Sequence, residues 1–196
     1  MKKVLKAVFI PLIFLVLTIL YVFPLLQGLI LLPLDLLISN YAPWSAPNTI
    51  LLKNPYMQDS IVQLFPWRHL VFESLTHSII PLWNPYQQLG APFMANMKPL
   101  VFYPLNIFFI FGEIPAWHLL LFGQLFLSML FCYLLARDFK LKILPSILVA
   151  LSFGLNSFMI GLLQFGSDAQ TMVWWPLILL FTKRFLESTK RWYLFL

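Results

Sequence analysis

Residues 115–136, PAWHLLLFGQLFLSMLFCYLLA, contain no Asp, Glu, Lys or Arg. Their length matches the hydrocarbon thickness of a bilayer, which about 20 apolar helical residues cross. A helix closes its backbone hydrogen bonds within itself, so it is one of the few structures that lipid tolerates. Three further apolar runs predict spans at 5–32, 143–163 and 169–187, and another apolar start, WYLFL, begins at residue 192 and stops at Leu196. Charged residues make up only 10% of the chain, against roughly a quarter in soluble domains, which agrees with an integral membrane protein. Five residues cannot complete a span, so the chain reads as the N-terminal part of a longer protein. The N-terminal stretch MKKVLKAVFIPLIFLVLTILYVF has the basic start of a signal peptide. Its apolar run is too long and no small-residue cleavage site follows, so a retained span is expected.

The basic residues orient this map. Ten of the thirteen Lys and Arg fall before span one (Lys2, Lys3, Lys6), between spans two and three (Arg137, Lys140, Lys142) and after span four (Lys183, Arg184, Lys190, Arg191). This is the positive-inside pattern with a cytoplasmic N-terminus. It accounts for the net charge of +6 without nucleic acid as a partner. The first outer loop then runs from about 33 to 114, long enough to need structure or function of its own. Its Pro- and aromatic-rich stretches, YAPWSAPN and PLWNPYQQLGAPF, predict rigid turns packed at the membrane interface. The single Cys132 offers no disulfide and no metal-ligand spacing, and is read as a packing residue.

Within the loop, residues 57–77, MQDSIVQLFPWRHLVFESLTH, form an amphipathic helical pattern. Met57, Ile61, Leu64, Phe65, Val71, Phe72 and Leu75 share one side; Asp59, Gln63, His69, Glu73 and His77 share the other. Such a helix is expected to lie on the outer surface with its apolar side in the acyl boundary, bent at Pro66. Arg68 falls in the apolar stripe, where it can snorkel to the headgroups or grip a phosphate. Spacing alone favours a solvated face on a surface helix, because amphipathic helices are common and functional sites are not.

The ordered blocks LLPLDLL, NPYMQDSIVQLFPWRHL and IPLWNPYQQLGAPFMANMKPLVFYPLNIFF, with the later LSFGLNSFMIGLLQFGSDAQTMVWWPLILL, resemble the N-terminal part of the bacterial YfhO-like membrane proteins. The resemblance covers about residues 24–185, and PLWNPYQQLGAPFMAN…FYPLN is its most specific part. It implies an all-α, polytopic transmembrane bundle of the GT-C glycosyltransferase type, with interfacial helices in a long outer loop, in the bacterial cell membrane. It also implies a polyprenyl-phosphate-linked sugar as donor, a cell-envelope glycan or glycolipid as acceptor, and an essential acid in the first outer loop. That acid maps onto Asp59, with Asp35 as second candidate.

The chemistry of such a transfer needs a carboxylate to take the acceptor's proton and cations or donors to stabilise the departing phosphate. Asp59 is the candidate base, or a ligand for a divalent metal ion. Arg68 and Lys98 are candidate phosphate partners; Gln63, Asn84, Gln87 and Asn96 are candidates for binding sugar hydroxyls, and Asn84 suits equally a turn before Pro85. Asp35 serves equally as an interfacial carboxylate. His69 and His77 read best as solvated, and Asp168 as a helix start in a capping box with Ser167 and Gln170. Gln27, Gln124 and Asn156 are expected to bond across helices, Pro176 to kink span four, and residues 101–112 to form a re-entrant or interfacial segment. Two rivals remain: a lipid-carrier transporter or flippase, and a non-catalytic envelope assembly protein.

Overall fold

The computed structural model describes residues 2–40, 54–165 and 168–188. Ser167, Lys53, Lys190, Arg191, the YAPWSAPN stretch and the apolar start at 192 lie outside them. The described residues are mostly helical with almost no strand, as the apolar periodicity predicts, and divide into two compact units.

The first unit gathers the residues up to Gln27, Phe122–Leu163 and those from Ala169 on. Helix α1 (Lys2–Tyr21) ends in a short 3₁₀ turn, Phe23–Gln27, that contains Pro24. The expected single span over 5–32 is therefore helical only as far as Tyr21, because Pro24 cannot donate the next ladder bond. Helix α4 (Glu113–Asp138) has its first turns in the second unit and the rest in the first. Helix α5 (Ile143–Gly154) continues after a break into α6 (Ser157–Gly161). Asn156 makes that break: its Oδ1 accepts from the Met159 N–H at 2.9 Å and its Nδ2 donates to the Phe153 carbonyl. It is a local N-cap, not the cross-helix bond expected from the sequence.

Two helical stretches, Glu113–Asp138 and Ile143–Gly161, are long and apolar enough to cross a membrane. The fourth expected span is divided instead. Helix α7 (Asp168–Met172) stops, and α8 (Trp175–Ser188) restarts with Pro176 in its first turn, where a missing N–H costs nothing. Ile10, Phe14, Leu125, Met129, Cys132 and Ala150 form this unit's main core. Gly154 admits the closest approach: a Cβ there would meet Met129 Cγ at 2.3 Å. Gln124 is fully buried there, yet neither of its amide atoms has a partner among the described residues, contrary to the expected interhelical bond. Asp138, at the C-terminal end of α4, accepts from Lys183 Nζ and Arg184 Nε of α8, each at 2.8 Å. Those cations offset a carboxylate sitting at the wrong end of a helix dipole.

The second unit holds Gly28–Leu121 and residues 164–168. Its elements are α2 (Asp35–Asn40), a π turn (Ser60–Leu64) running into α3 (Phe65–Thr76), a two-stranded hairpin and a 3₁₀ stretch (Pro104–Phe111). The hairpin pairs β1 (Trp83–Asn84) with β2 (Ala91–Pro92) antiparallel, Trp83 opposite Pro92 and Asn84 opposite Ala91. The π turn answers Pro66: the ladder opens to a five-residue spacing, with the Phe65 N–H bonded to the Ser60 carbonyl, just before the proline enters the first turn of α3. The core is Leu64, Trp67, Val71, Phe93, Val101, Phe109 and Ala116. The apolar side of 57–77 thus packs on the unit's own 93–116 chain, not on acyl chains. The amphipathic period located the buried face; the loop itself supplies the cover.

Candidate functional site

One face of the π turn and α3 presents Gln63, Pro66, Trp67 and Leu70 at helical spacing. Together with Val62 they form one wall of a cleft of about 320 Å³. Asn84, Tyr86 and Gln87 from the hairpin line the remainder. No charged side chain is among these eight residues. Three carboxamides and two large aromatic rings meet in a space the size of a small-molecule pocket.

The hairpin wall is fixed by local chemistry. Asn84 is buried, and its Oδ1 accepts from the Tyr86 N–H at 3.0 Å, the turn role open to an Asn before proline. Gly90 closes the turn with φ +112°, and a Cβ there would lie 2.6 Å from Trp83 Nε1, so only glycine fits beside that indole. The Trp67 Nε1–H donates to Gln87 Oε1 at 3.0 Å, tying the hairpin to α3. Asn84, Gln87 and Trp67 are therefore held in place before any ligand arrives.

The structure gathers Gln63, Asn84 and Gln87 from the residues expected to bind substrate. Trp67 and Tyr86 were not picked out by sequence reasoning. The signal for Trp67 was available: positions 63, 66, 67 and 70 follow the i, i+3, i+4, i+7 rule. Tyr86 carried none, since only the hairpin turn brings it to the helix.

The other expected site residues lie elsewhere. Asp59 is exposed about one turn ahead of Gln63, and is not among the residues lining the cleft. Asp35 opens α2, half-buried, where the helix N-terminus favours a carboxylate. Asn96 accepts from the Lys98 N–H at 3.2 Å and holds a turn. Lys98 Nζ donates to Asp168 Oδ2 at 3.0 Å, an exposed pair in which Asp168 is the first residue of α7.

Arg68 departs furthest from expectation. It is 2% exposed, so it neither snorkels nor reaches a headgroup. Nη1 donates to the Pro99 carbonyl at 3.0 Å, and the guanidinium carbon stands 5.7 Å from the centre of the Phe109 ring. Nε and Nη2 have no partner among the described residues. Burial pulls its pKa down to about 10, and Tyr103 partly opposes this. The group is still a cation at neutral pH. The tight packing of α3 on Val101 and Phe109 leaves it inside, and its alkyl stem fits the apolar stripe that sequence assigned to it.

His69 is bound rather than merely solvated: Nδ1 lies 2.9 Å from both Glu113 carboxylate oxygens, and Nε2 lies 3.6 Å from Glu73 Oε1. His77 Nδ1 lies 2.8 Å from the Glu73 carbonyl. Among the described residues, no group of three or more His, Cys, Asp or Glu side chains is placed to hold a metal ion.

These observations define a class: a helical protein with two segments able to cross a bilayer and an uncharged, aromatic- and amide-lined cleft in its second unit. Comparison with protein-family models, with curated proteins and with solved structures finds no match to this chain.

Proposed function

We propose that this chain is part of a multi-pass membrane glycosyltransferase of the GT-C type, moving a sugar from a polyprenyl-phosphate donor to an envelope glycan or glycolipid. The observation that carries the reading is the cleft lining. Aromatic faces such as Trp67 and Tyr86 suit the C–H face of a sugar ring, and Gln63, Asn84 and Gln87 offer both donors and acceptors to hydroxyl groups. The sequence blocks that resemble the YfhO-like proteins support the same reading.

In this mechanism the cleft holds the sugar, a carboxylate takes the acceptor hydroxyl's proton, that oxygen bonds to the anomeric carbon, and the bond from this carbon to the phosphate oxygen breaks, so the phosphate leaves with the lipid. Asp59 is the carboxylate proposed, standing one turn from Gln63; Asp35 is the second. Lys98 is the phosphate partner proposed. Its pair with Asp168 is about half exposed and worth only about 0–1 kcal/mol, so a phosphate can displace the aspartate. Arg68 is withdrawn from phosphate binding because it is buried.

A second reading, a non-catalytic glycan-binding assembly protein, is favoured by one fact: Asp59 does not line the cleft. Sugar transfer in membrane vesicles separates the two. Replacing Trp67 by Phe and Gln87 by Leu should lower both glycan binding and transfer about tenfold, the equivalent of roughly 1.4 kcal/mol. Asp59→Asn should abolish transfer and leave binding intact. If the vesicles bind glycan but transfer no sugar, the non-catalytic reading stands; if Asp59→Asn alone is silent, the carboxylate role passes to Asp35; if the cleft variants change neither quantity, both readings fall.

A further inference from the structure

From Ser78 to Met97 the chain holds no charged residue, and from Ser78 to Gly112 Lys98 is the single one. Such a stretch could be explained by a buried core. It is not: Ile79, Leu82, Trp83, Tyr86, Leu89, Met97, Phe102, Ile107, Ile110 and Phe111 are all more than half exposed. The apex is the hairpin turn. Gln88 and Leu89 have φ of 53° and 61°, followed by Gly90 at 112°, three successive residues in the left-handed region. For the two non-glycine residues that conformation carries a steric cost. Leu89 gains no packing in return, because its side chain is fully exposed. A strained turn that presents an apolar side chain outward is an outlier from which function can be argued.

We propose that the Tyr86–Leu89 turn is a membrane-inserting finger whose partner is a lipid surface. Leu89 leads, and Trp83 and Tyr86 stand beside it with amphipathic rings of the kind that settle at the headgroup level. Lys98, the one cation of the stretch, suits anionic headgroups at its margin. A lipid surface fits better than a protein partner because the finger offers apolar side chains and no charges to set orientation or register. The stretch to Gly112, charged only at Lys98, also runs directly into α4, which is long and apolar enough to span. The finger is rigid before it meets lipid, through the Asn84 turn, the Gly90–Trp83 contact and the Trp67–Gln87 bond. Tyr86 and Gln87 line the cleft as well, so the cleft opens where the finger meets lipid, and a ligand held there is reached from the bilayer surface. This inference rests on the membrane reading of the chain and not on sugar transfer.

The test uses the full chain with Cys132→Ala, reconstituted in vesicles of phosphatidylcholine and phosphatidylglycerol. An environment-sensitive fluorophore is attached at Leu89→Cys, at Gln88→Cys as a second tip position, and at Gln58→Cys as an exposed reference beside Asp59. Blue-shifted emission at both tip positions, quenched several-fold more by doxyl-labelled lipid than by aqueous iodide, is the expected result, with Gln58→Cys showing the reverse. Iodide quenching at the tip equal to that of the reference overturns the proposal. So does a blue shift with no lipid quenching but with self-quenching that grows with protein density, which would seat the finger on a second copy. Loss of sugar transfer in a protein whose tip remains lipid-quenched counts against the glycosyltransferase alone; a water-exposed tip with intact transfer counts against the finger alone.

Discussion

Arg68 gives the sharpest energetic prediction, because opposing contributions at one side chain nearly cancel. The guanidinium is 2% exposed and has no anionic partner among the described residues, and burial holds its pKa near 10. A fall of that size from the ordinary guanidinium value corresponds to about 3 kcal/mol of cost for burying the charge. Against this stand a hydrogen bond from a charged donor to the Pro99 carbonyl, worth about 1.5–3 kcal/mol, and the contact with the Phe109 face, worth about 0.5–2 kcal/mol. Arg68→Met keeps an unbranched side chain in the slot while removing the charge, so all three contributions disappear together. The expected change is within about 1–2 kcal/mol of zero, as found when buried charges give way to apolar residues of similar size. Arg68→Ala also leaves a void, and large-to-small core changes cost about 2–5 kcal/mol, so it should be the more destabilising of the two by at least about 2 kcal/mol. Denaturant unfolding of the detergent-solubilised protein, followed by tryptophan fluorescence, measures both. The sign with pH follows from the lowered pKa. The folded state binds its proton less tightly than the unfolded state, so the burial cost is complete below about pH 10 and is relieved only above it. The Arg68→Met difference should therefore be flat between pH 5 and 9. A loss above 3 kcal/mol for Arg68→Met would refute the reasoning, since it would require an anion satisfying Nε and Nη2.

Two further substitutions probe close approaches and strain. Leu89→Gly should stabilise the second unit by about 1 kcal/mol, because glycine adopts a positive φ without the steric cost a leucine bears; in vesicles it should also weaken lipid contact of a label at Gln88→Cys, and a loss of thermal stability would count against the strain. Gly154→Ala should destabilise the first unit by about 1–3 kcal/mol, since its Cβ would lie 2.3 Å from Met129 Cγ and 3.4 Å from the Met129 backbone nitrogen, and an unchanged unfolding midpoint would show that α5 moves freely against α4.

Local periodicity carried most of what the sequence determined. The uncharged run at 115–136 predicted α4 nearly to its ends, because a helix of that composition depends on no distant residue. The buried side of 57–77 was equally legible: Met57, Ile61, Leu64 and Val71 are buried, and Asp59, His69, Glu73 and His77 are exposed. Proline marked breaks at 24, 66 and 176 but not their form, and Pro11 sits inside α1 without ending it. A 3₁₀ ending, a π turn and a fresh helix start differ in what packs around them, which one-dimensional spacing does not encode.

What covers each face was decided only by tertiary structure. The apolar side of 57–77 could meet lipid or protein with the same pattern, and the choice fell to Phe93, Val101 and Phe109, distant in sequence. The same packing put Arg68 inside, although an arginine in an apolar stripe would ordinarily reach for solvent. The cleft is likewise a product of the hairpin, whose turn carries Tyr86 and Gln87 to the face holding Gln63 and Trp67. Residue types announced the available chemistry; chain reversals, set by Asn84 and Gly90, decided which of those groups face one another.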